Sequence, residues 1–382
     1  MQRIVIKLGT SVVSHPSGGL NEAQLLAVAE FTKQRIDSGD HVILVSSGAV
    51  GLGRQKLGLF PPLSVAEKQA CASVGQSLLI ERYSRLFEPL GLFVGQVLVA
   101  SEDLSRRITY TNLANTFNEL VKRRVVPILN ENDAISSEEL STYREARTKS
   151  FGDNDKLSAL IAAKLEADLL MIFTDVDGVY TDNPFKNPEA RRLNHVTELS
   201  QLDEVKLQGS SNSGRGGMHG KLLAARTASL CGVKTVIAKG TDVDAMKALF
   251  QDIGQGIQSA YGTWVDATQK PSAKKAWLRF AGAHGRVVVN AGAVKALQNH
   301  GASLLATGVV DVEGDFLKGD LVSVVDESGE EIARGQAEFS SDRLRHLMGK
   351  GKESLQGLLN SEEKDEAIHR SHMALIVKGQ DD

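Results

Sequence analysis

Two lysines in this chain stand beside runs of glycine and hydroxyl residues. Lys7 is followed by Leu8, Gly9, Thr10 and Ser11, and Lys221 closes the run Gly214, Arg215, Gly216, Gly217, Met218, His219, Gly220. An ammonium group next to amides that glycine leaves open is suited to a phosphate. A third glycine-dense run, Ser46–Gly53, carries Gly48, Gly51 and Gly53 and can turn successive amides toward an anion at a helix N-terminus. Its spacing departs from the G-x-G-x-x-G dinucleotide fingerprint. The Lys221 run departs from a Walker A loop: Arg215 stands at the first glycine position, and Leu222 follows the lysine in place of Ser or Thr. The alternative for each run is structural, a tight strand-to-helix turn or an exposed lysine.

Acids and amides form two further clusters. Asn130, Glu131, Asn132 and Asp133 could hold an ammonium or hydroxyl group. Asp153, Asn154 and Asp155 follow Gly152 and open a helix. One of Asp153 and Asn154 is expected to cap that helix, but two carboxylates with an amide exceed what a cap needs. Without histidine, a metal held there would be Mg²⁺ or Ca²⁺. Thr174, Asp175 and Asp177 make a sixth polar site. No nucleophile pairs with His219, and the other eight histidines lack metal-ligand spacing. Cys71 and Cys231 sit in apolar segments and read as buried hydrophobes.

The elements that must position these groups alternate. Strands are expected at Arg3–Leu8, His41–Ser46, Phe93–Leu98, Val125–Leu129, Leu169–Thr174 and Lys234–Ala238. Helices are expected at Asn21–Ser38, Val65–Leu86, Thr111–Arg123, Lys156–Ala167 and Lys221–Cys231. The strands are continuous apolar runs, as in a parallel sheet covered on both faces. The fold class is therefore α/β, with a mostly parallel central sheet sandwiched by helices. Ligands of such sheets lie beyond the strand C-termini, where every cluster above falls. Residues 261–275 read as a polar linker. Residues 276–358 carry short strands and Gly-rich turns, as in a small β-barrel with a helix or two. Residues 359–382 read as a charged, loosely ordered tail.

The whole chain has 382 residues, 42% hydrophobic and 24% charged, enough for two domains with packed cores. Its 44 Lys and Arg against 47 Asp and Glu give a net charge of −3, which argues against a nucleic-acid-gripping surface. The first residues lack a signal-peptide pattern, and no run approaches about 20 apolar residues. The expected compartment is the cytoplasm.

Five strand ends with two lysines, two glycine-rich anion loops and paired acid-amide loops describe a phosphoryl-transfer site without a Walker motif. In order, Val5–Ser11, Val45–Ala49, Asn130–Ala134, Gly152–Asp155, Thr174–Thr181 and Gly216–Lys221 resemble the motifs of the amino acid kinase family. The Asn130–Asp133 and Gly152–Asp155 strings point to the member that acts on glutamate, rather than the aspartate, acetylglutamate, carbamate or uridylate kinases. Residues 276–356 resemble a PUA domain.

The resemblance implies the amino acid kinase fold over residues 1–260, with ATP and L-glutamate as substrates, Mg²⁺ as cofactor and γ-glutamyl phosphate as product, the first step of proline biosynthesis. It implies that Lys7 and Lys221 flank the transferring phosphoryl group and that Asp155 orients them. Ser47, Gly48, Asp133 and Asn154 would hold glutamate. Lys7, Thr174, Asp175, Arg215, Gly216, Gly217, Met218, His219, Gly220 and Lys221 would hold ATP. It also implies a homo-oligomer with proline as feedback inhibitor. The chain departs from the family loop at Arg215 and Gly220, where hydroxyl residues are usual. Ile135–Ser150 is longer and more charged than expected, either a lid over the glutamate site or an insertion. PUA domains generally bind RNA, but residues 277–357 hold 9 Lys and Arg against 11 Asp and Glu, so RNA binding as the main role is disfavoured. The competing enzyme reading is a family member acting on another carboxylate.

Overall fold

The computed structural model describes residues 1–15, 19–104, 106–135, 154–184, 186–205, 217–268, 278–279, 282–361 and 363–376. The chain divides into two compact units, residues 1–101 with 114–270, and residues 102–113 with 271–382.

The first unit is built on an eight-stranded sheet. Its strands in chain order are β1 (Arg3–Leu8), β2 (His41–Ser46), β3 (Phe93–Val99), β4 (Val125–Glu131), β5 (Leu169–Thr174), β6 (Val179–Tyr180), β7 (Arg192–Leu193), β8 (His195–Val196), β9 (Lys234–Lys239) and β10 (Thr263–Val265). β6 and β7 form a separate hairpin, and the remaining strands lie in the order β3-β4-β2-β1-β5-β9-β10-β8. All neighbours run parallel except β9 and β10. β1 lies between β2 on one side and β5 on the other. The chain leaves β1 toward β2 and returns later to β5, so the sheet reverses direction there, and a crevice opens beyond the strand ends.

The helices of this unit are α1 (Thr10–Val13), α2 (Glu22–Asp37), α3 (Ala49–Leu57), α4 (Val65–Phe87), α5 (Arg107–Lys122, which begins in the other unit), α6 (Asn154–Lys164), α7 (Ser200–Asp203), α8 (Met218–Leu230) and α9 (Val243–Gly254). A capping box starts α4: the Ser64 hydroxyl accepts from the Glu67 amide at 3.2 Å, and the Ser64 amide donates to the Glu67 carboxylate at 2.8 Å. The core on one side of the sheet joins Ile4, Ile6 and Leu8 of β1 to Leu25 and Phe31 of α2, Tyr83 and Phe87 of α4, and Phe250 of α9. Helices α3 and α4 meet backbone to backbone. A Cβ on Gly53 would lie 1.8 Å from the Cys71 carbonyl oxygen, and one on Gly75 would lie 1.7 Å from that of Ala49. No side chain larger than hydrogen fits at either position.

The strand and helix expectations locate these elements, with ends that differ by a few residues. Sequence reading gave no residue range for α3, which follows a motif read as a loop, and passed over the 12-residue α9. The expected linker 261–275 is corrected at its start, where Thr263–Val265 is the buried strand β10, too short to show a pattern. Cys71 and Cys231 are buried free thiols.

The second unit has a five-stranded sheet in the order 309–313, 285–289, 321–326, 331–336, 373–375, and a two-stranded ladder of residues 304–305 with 366–368. The expectation of a loosely ordered tail is corrected here. Glu366–Ile368 and Met373–Leu375 are strands, because Ala367, Ile368, Met373 and Ala374 are buried apolar residues spaced among the charges. No helix among the described residues is long and apolar enough to cross a membrane.

Candidate active site

Lys7 is the penultimate residue of β1 and pairs in register with Val45 of β2 and Ile172 of β5. A lysine at that point of a fully covered sheet cannot reach bulk water, and Lys7 is 3% exposed. Its partner is Asp155, in the first turn of α6 and 0% exposed. Lys7 Nζ lies 2.5 Å from Asp155 Oδ1, and Lys221 Nζ donates to Asp155 Oδ2 at 3.2 Å. Lys221 sits in the first turn of α8 and is 6% exposed. Burial pushes the Asp155 carboxyl up, but the two ammonium groups outweigh it and hold the acid below its ordinary range. Two cations share one carboxylate, so the trio carries one net positive charge in a buried place. Such a charge calls for an anion.

Around the trio stand helix and strand ends. The N-cap of α8 is Gly217, extended at φ −64° and ψ 177°, with no side-chain cap. The Gly220 amide donates back to the Gly217 carbonyl at 3.1 Å, and the amides before it face the end of the helix, where an anion is favoured. Met218 and Gly220 are half-buried in that first turn, and His219 is exposed. Thr174 ends β5 and donates through Oγ1 to Asp175 Oδ1 at 2.9 Å. Lys239, which sequence reading passed over, ends β9 opposite Thr174 in register. Gly48 caps α3 at φ 105°, a left-handed conformation that favours glycine. Arg215, Gly216 and Asp153 lie outside the described residues, as does nearly all of the 135–150 excursion.

A hydrogen-bonded amide cluster adjoins this end of the sheet. Asn154 opens α6, and its side chain reaches across the sheet. Nδ2 donates to Ser47 Oγ at 2.9 Å and to Asn130 Oδ1 at 3.0 Å, with a longer contact of 3.3 Å to the Ser46 carbonyl. Asn154 Oδ1 is buried with no hydrogen-bond partner among the described residues. Asn130 Oδ1 also accepts from the Glu131 amide, and Asn130 Nδ2 donates to Gln76 Oε1, both at 2.9 Å. Ser46 Oγ donates to the Ser47 carbonyl at 3.1 Å, and the Tyr83 hydroxyl lies 2.8 Å from Ser46 Oγ. Burial raises the Tyr83 phenol well above its usual value, so it stays protonated and donates to Ser46.

The structure thus brings Lys7, Asp155 and Lys221 together, and separately joins Ser47 to Asn154. Asp133 lines a cavity of about 290 Å³ between α4, β3 and β4, together with Ser73, Gln76, Gln96, Glu131 and Asn132. Ser47, Gly48 and Asn154 do not line it. Gln76 connects the two groups, since it borders the cavity and holds Asn130. Gln76 and Tyr83 were missed in the sequence. The one signal was a polar residue, Gln76, on the face of α4 that buries Cys71, Ala72 and Leu79. Among the described residues, no group of three or more His, Cys, Asp or Glu could hold a metal ion.

Residues 2–239 match the amino acid kinase family, and residues 285–356 match the PUA domain. The chain is 38% identical over 384 residues to the glutamate 5-kinase of Thermoanaerobacter sp. (strain X514), covering 99% of each chain. It is 40% identical over 384 residues to the glutamate 5-kinase of Gloeobacter violaceus, covering 98% of this chain and all of that one. Among solved structures, carbamate kinase from Giardia lamblia bound to AMP-PNP aligns at a TM-score of 0.45 and 19% identity, over 70% of this chain and 99% of that one.

Proposed function

We infer, from the premise that the chain belongs to the amino acid kinase family, that it transfers the γ-phosphoryl group of ATP to the γ-carboxylate of L-glutamate. The product is γ-glutamyl phosphate, and the step opens proline biosynthesis. The observation that carries the mechanism is the buried trio of two lysines on one aspartate.

A glutamate carboxylate oxygen attacks the γ-phosphorus in line, and the bond from that phosphorus to the β,γ-bridging oxygen breaks. ADP leaves with the bridging oxygen. No bond to the enzyme forms, so catalysis reduces to positioning and charge stabilisation. Lys7 and Lys221 neutralise the phosphoryl oxygens as charge spreads over them. Asp155 fixes both ammonium groups beforehand, so little reorganisation is needed when that charge develops. Both Asp155 oxygens face lysines, and Mg²⁺ would be brought by the nucleotide, where it would neutralise phosphate charge beside Lys7 and Lys221. ATP is held by the amides of Gly217, Met218 and His219 at the α8 N-terminus and by the Gly220 backbone that closes that turn, by Arg215 and Gly216 before them, and by Thr174 and Asp175.

For glutamate, the amide cluster supplies complementary groups. Ser47 Oγ accepts from Asn154, which frees the serine proton for a carboxylate. Asn154 Oδ1 is a buried acceptor suited to an ammonium donor. Asp133 supplies a carboxylate on the neighbouring cavity. Proline shares the backbone ammonium and carboxylate of glutamate and is expected to compete for the same groups. Catalysis is assigned to residues 1–260, with residues 276–358 as the appended domain. The enzyme is expected in the cytoplasm as a homo-oligomer.

The test is ADP release from ATP and Mg²⁺ with glutamate, aspartate, acetylglutamate or no acceptor. Glutamate is expected to be the preferred acceptor by a wide margin. Equal or faster turnover with another acceptor would assign the chain to a different member of the family.

A further inference from the structure

The amide cluster has a direction, and that direction is set away from the substrate groups. The Glu131 backbone N–H can only donate, so the Asn130 atom facing it is Oδ1. Asn130 Nδ2 must then point the other way, where it donates to Gln76 Oε1 at 2.9 Å. Asn130 Oδ1 accepts from Asn154 Nδ2 as well, and the second Asn154 hydrogen goes to Ser47 Oγ. Both Asn154 N–H groups are thereby spent, and only its Oδ1 is left for a ligand.

We propose that Gln76 is a positioning residue for the amino-acid substrate: as the acceptor that ends the relay, it holds the Asn130 carboxamide in the place from which it steadies Asn154. Asn130 is 2% exposed, so its Nδ2 has no route to bulk water. Remove the Gln76 acceptor and that donor is orphaned. The Asn130 carboxamide, still held by the Glu131 amide, then shifts to seek a partner for Nδ2 and loosens the contact of Oδ1 with Asn154. Asn154 keeps its contacts to Ser46 and Ser47 but loses its third anchor, so its Oδ1 is held less firmly toward an ammonium. Gln76 is well placed for this task. It neighbours Gly75, whose bare Cα lets α4 press against α3, and it lies two helical turns from Tyr83, which anchors Ser46. One helix therefore supports both the strand end and the amide relay behind the substrate groups.

This inference rests on the assignment of Asn154 and Ser47 to glutamate, and the experiment separates the two claims. Initial rates are measured in the full-length enzyme for Gln76→Met, Gln76→Glu, Asn154→Ala and the double variant Gln76→Met/Asn154→Ala. Gln76→Met keeps the side-chain length and removes the acceptor. It should raise KM for glutamate about tenfold, with KM for ATP and kcat within about twofold. Gln76→Glu keeps an acceptor at the same reach and should restore most of the lost affinity. In the Asn154→Ala background, Gln76→Met should add nothing further, because it acts through Asn154. Additive effects in the double variant, an unchanged glutamate KM in Gln76→Met, or Gln76→Glu as impaired as Gln76→Met would each overturn the role of Gln76. If Asn154→Ala itself leaves KM for glutamate unchanged, the assignment of the glutamate groups fails first.

Discussion

Asp155→Asn removes the one negative charge between two buried ammonium groups while keeping side-chain volume. In the native protein the carboxylate contacts Lys7 at 2.5 Å and Lys221 at 3.2 Å. At an effective dielectric of about 20, each contact is a gross attraction of roughly 5–7 kcal/mol, largely offset by the desolvation of the charges. Removing one member of such a cluster strands the others, with a typical loss of about 3–5 kcal/mol.

That loss should depend on pH in a defined direction. The Asp155 carboxyl is held below its ordinary range, so its contribution is complete above that range and is lost as pH falls through the lowered value. The asparagine variant has no such group, so its deficit relative to wild type should be full near neutrality and shrink in acid. Urea unfolding of both proteins near pH 7 and about pH 3, with kcat measured alongside at pH 7, tests the scheme. Turnover should fall on the order of 10²–10³. A stability deficit identical at the two pH values, or kcat within about threefold of wild type, would refute the picture of two cations held by one acid.

Lys7→Ala and Lys221→Ala should each lower kcat on the order of 10²–10³ while the far-ultraviolet circular dichroism stays native; about half the wild-type rate in either would remove that residue from the chemistry. Asp133→Ala should weaken glutamate and proline together, seen as a higher KM and a higher inhibition constant; proline inhibition that persists at saturating glutamate would place proline elsewhere. Gly53→Ala should separate α3 from α4, because its new methyl would sit 1.8 Å from a carbonyl oxygen; a loss of more than about 2 kcal/mol in urea unfolding is expected, with a raised glutamate KM, and a wild-type unfolding midpoint would argue against that helix contact.

The parallel sheet was legible in the sequence because its strands are uninterrupted apolar runs. His41–Ser46 and Leu169–Thr174 have the expected bounds. The clusters at strand ends were legible for a related reason: the topology leaves only those ends to carry polar groups. Lys7 and Lys221 stood out by their glycine neighbours. Their burial did not, because only the fold seals the strand ends from water. Asn154 was read partly as a helix cap, yet its side chain crosses the sheet to Ser47 and Asn130, 107 and 24 residues away in sequence. Tyr83 was invisible, and Gln76 showed only as a polar residue on a buried helix face, because their partners lie on β2 and β4 and no local pattern marks such pairings. The buried strands of the C-terminal tail were hidden by charged neighbours, since three-residue strands are too short for an alternation to show.

The backbone contact between α3 and α4 also bears on how this region opens. Most helix pairs are separated by side chains that can repack one at a time. Here Gly53 and Gly75 leave no such layer, so neither helix can shift without prising apart two main chains. The amides of Ala49–Leu57 should therefore exchange with deuterium in step with those of the first half of α4, as one cooperative opening event. The glycine turn at Gly48, although it looks like a loop in the sequence, would inherit the slow exchange of a 23-residue helix.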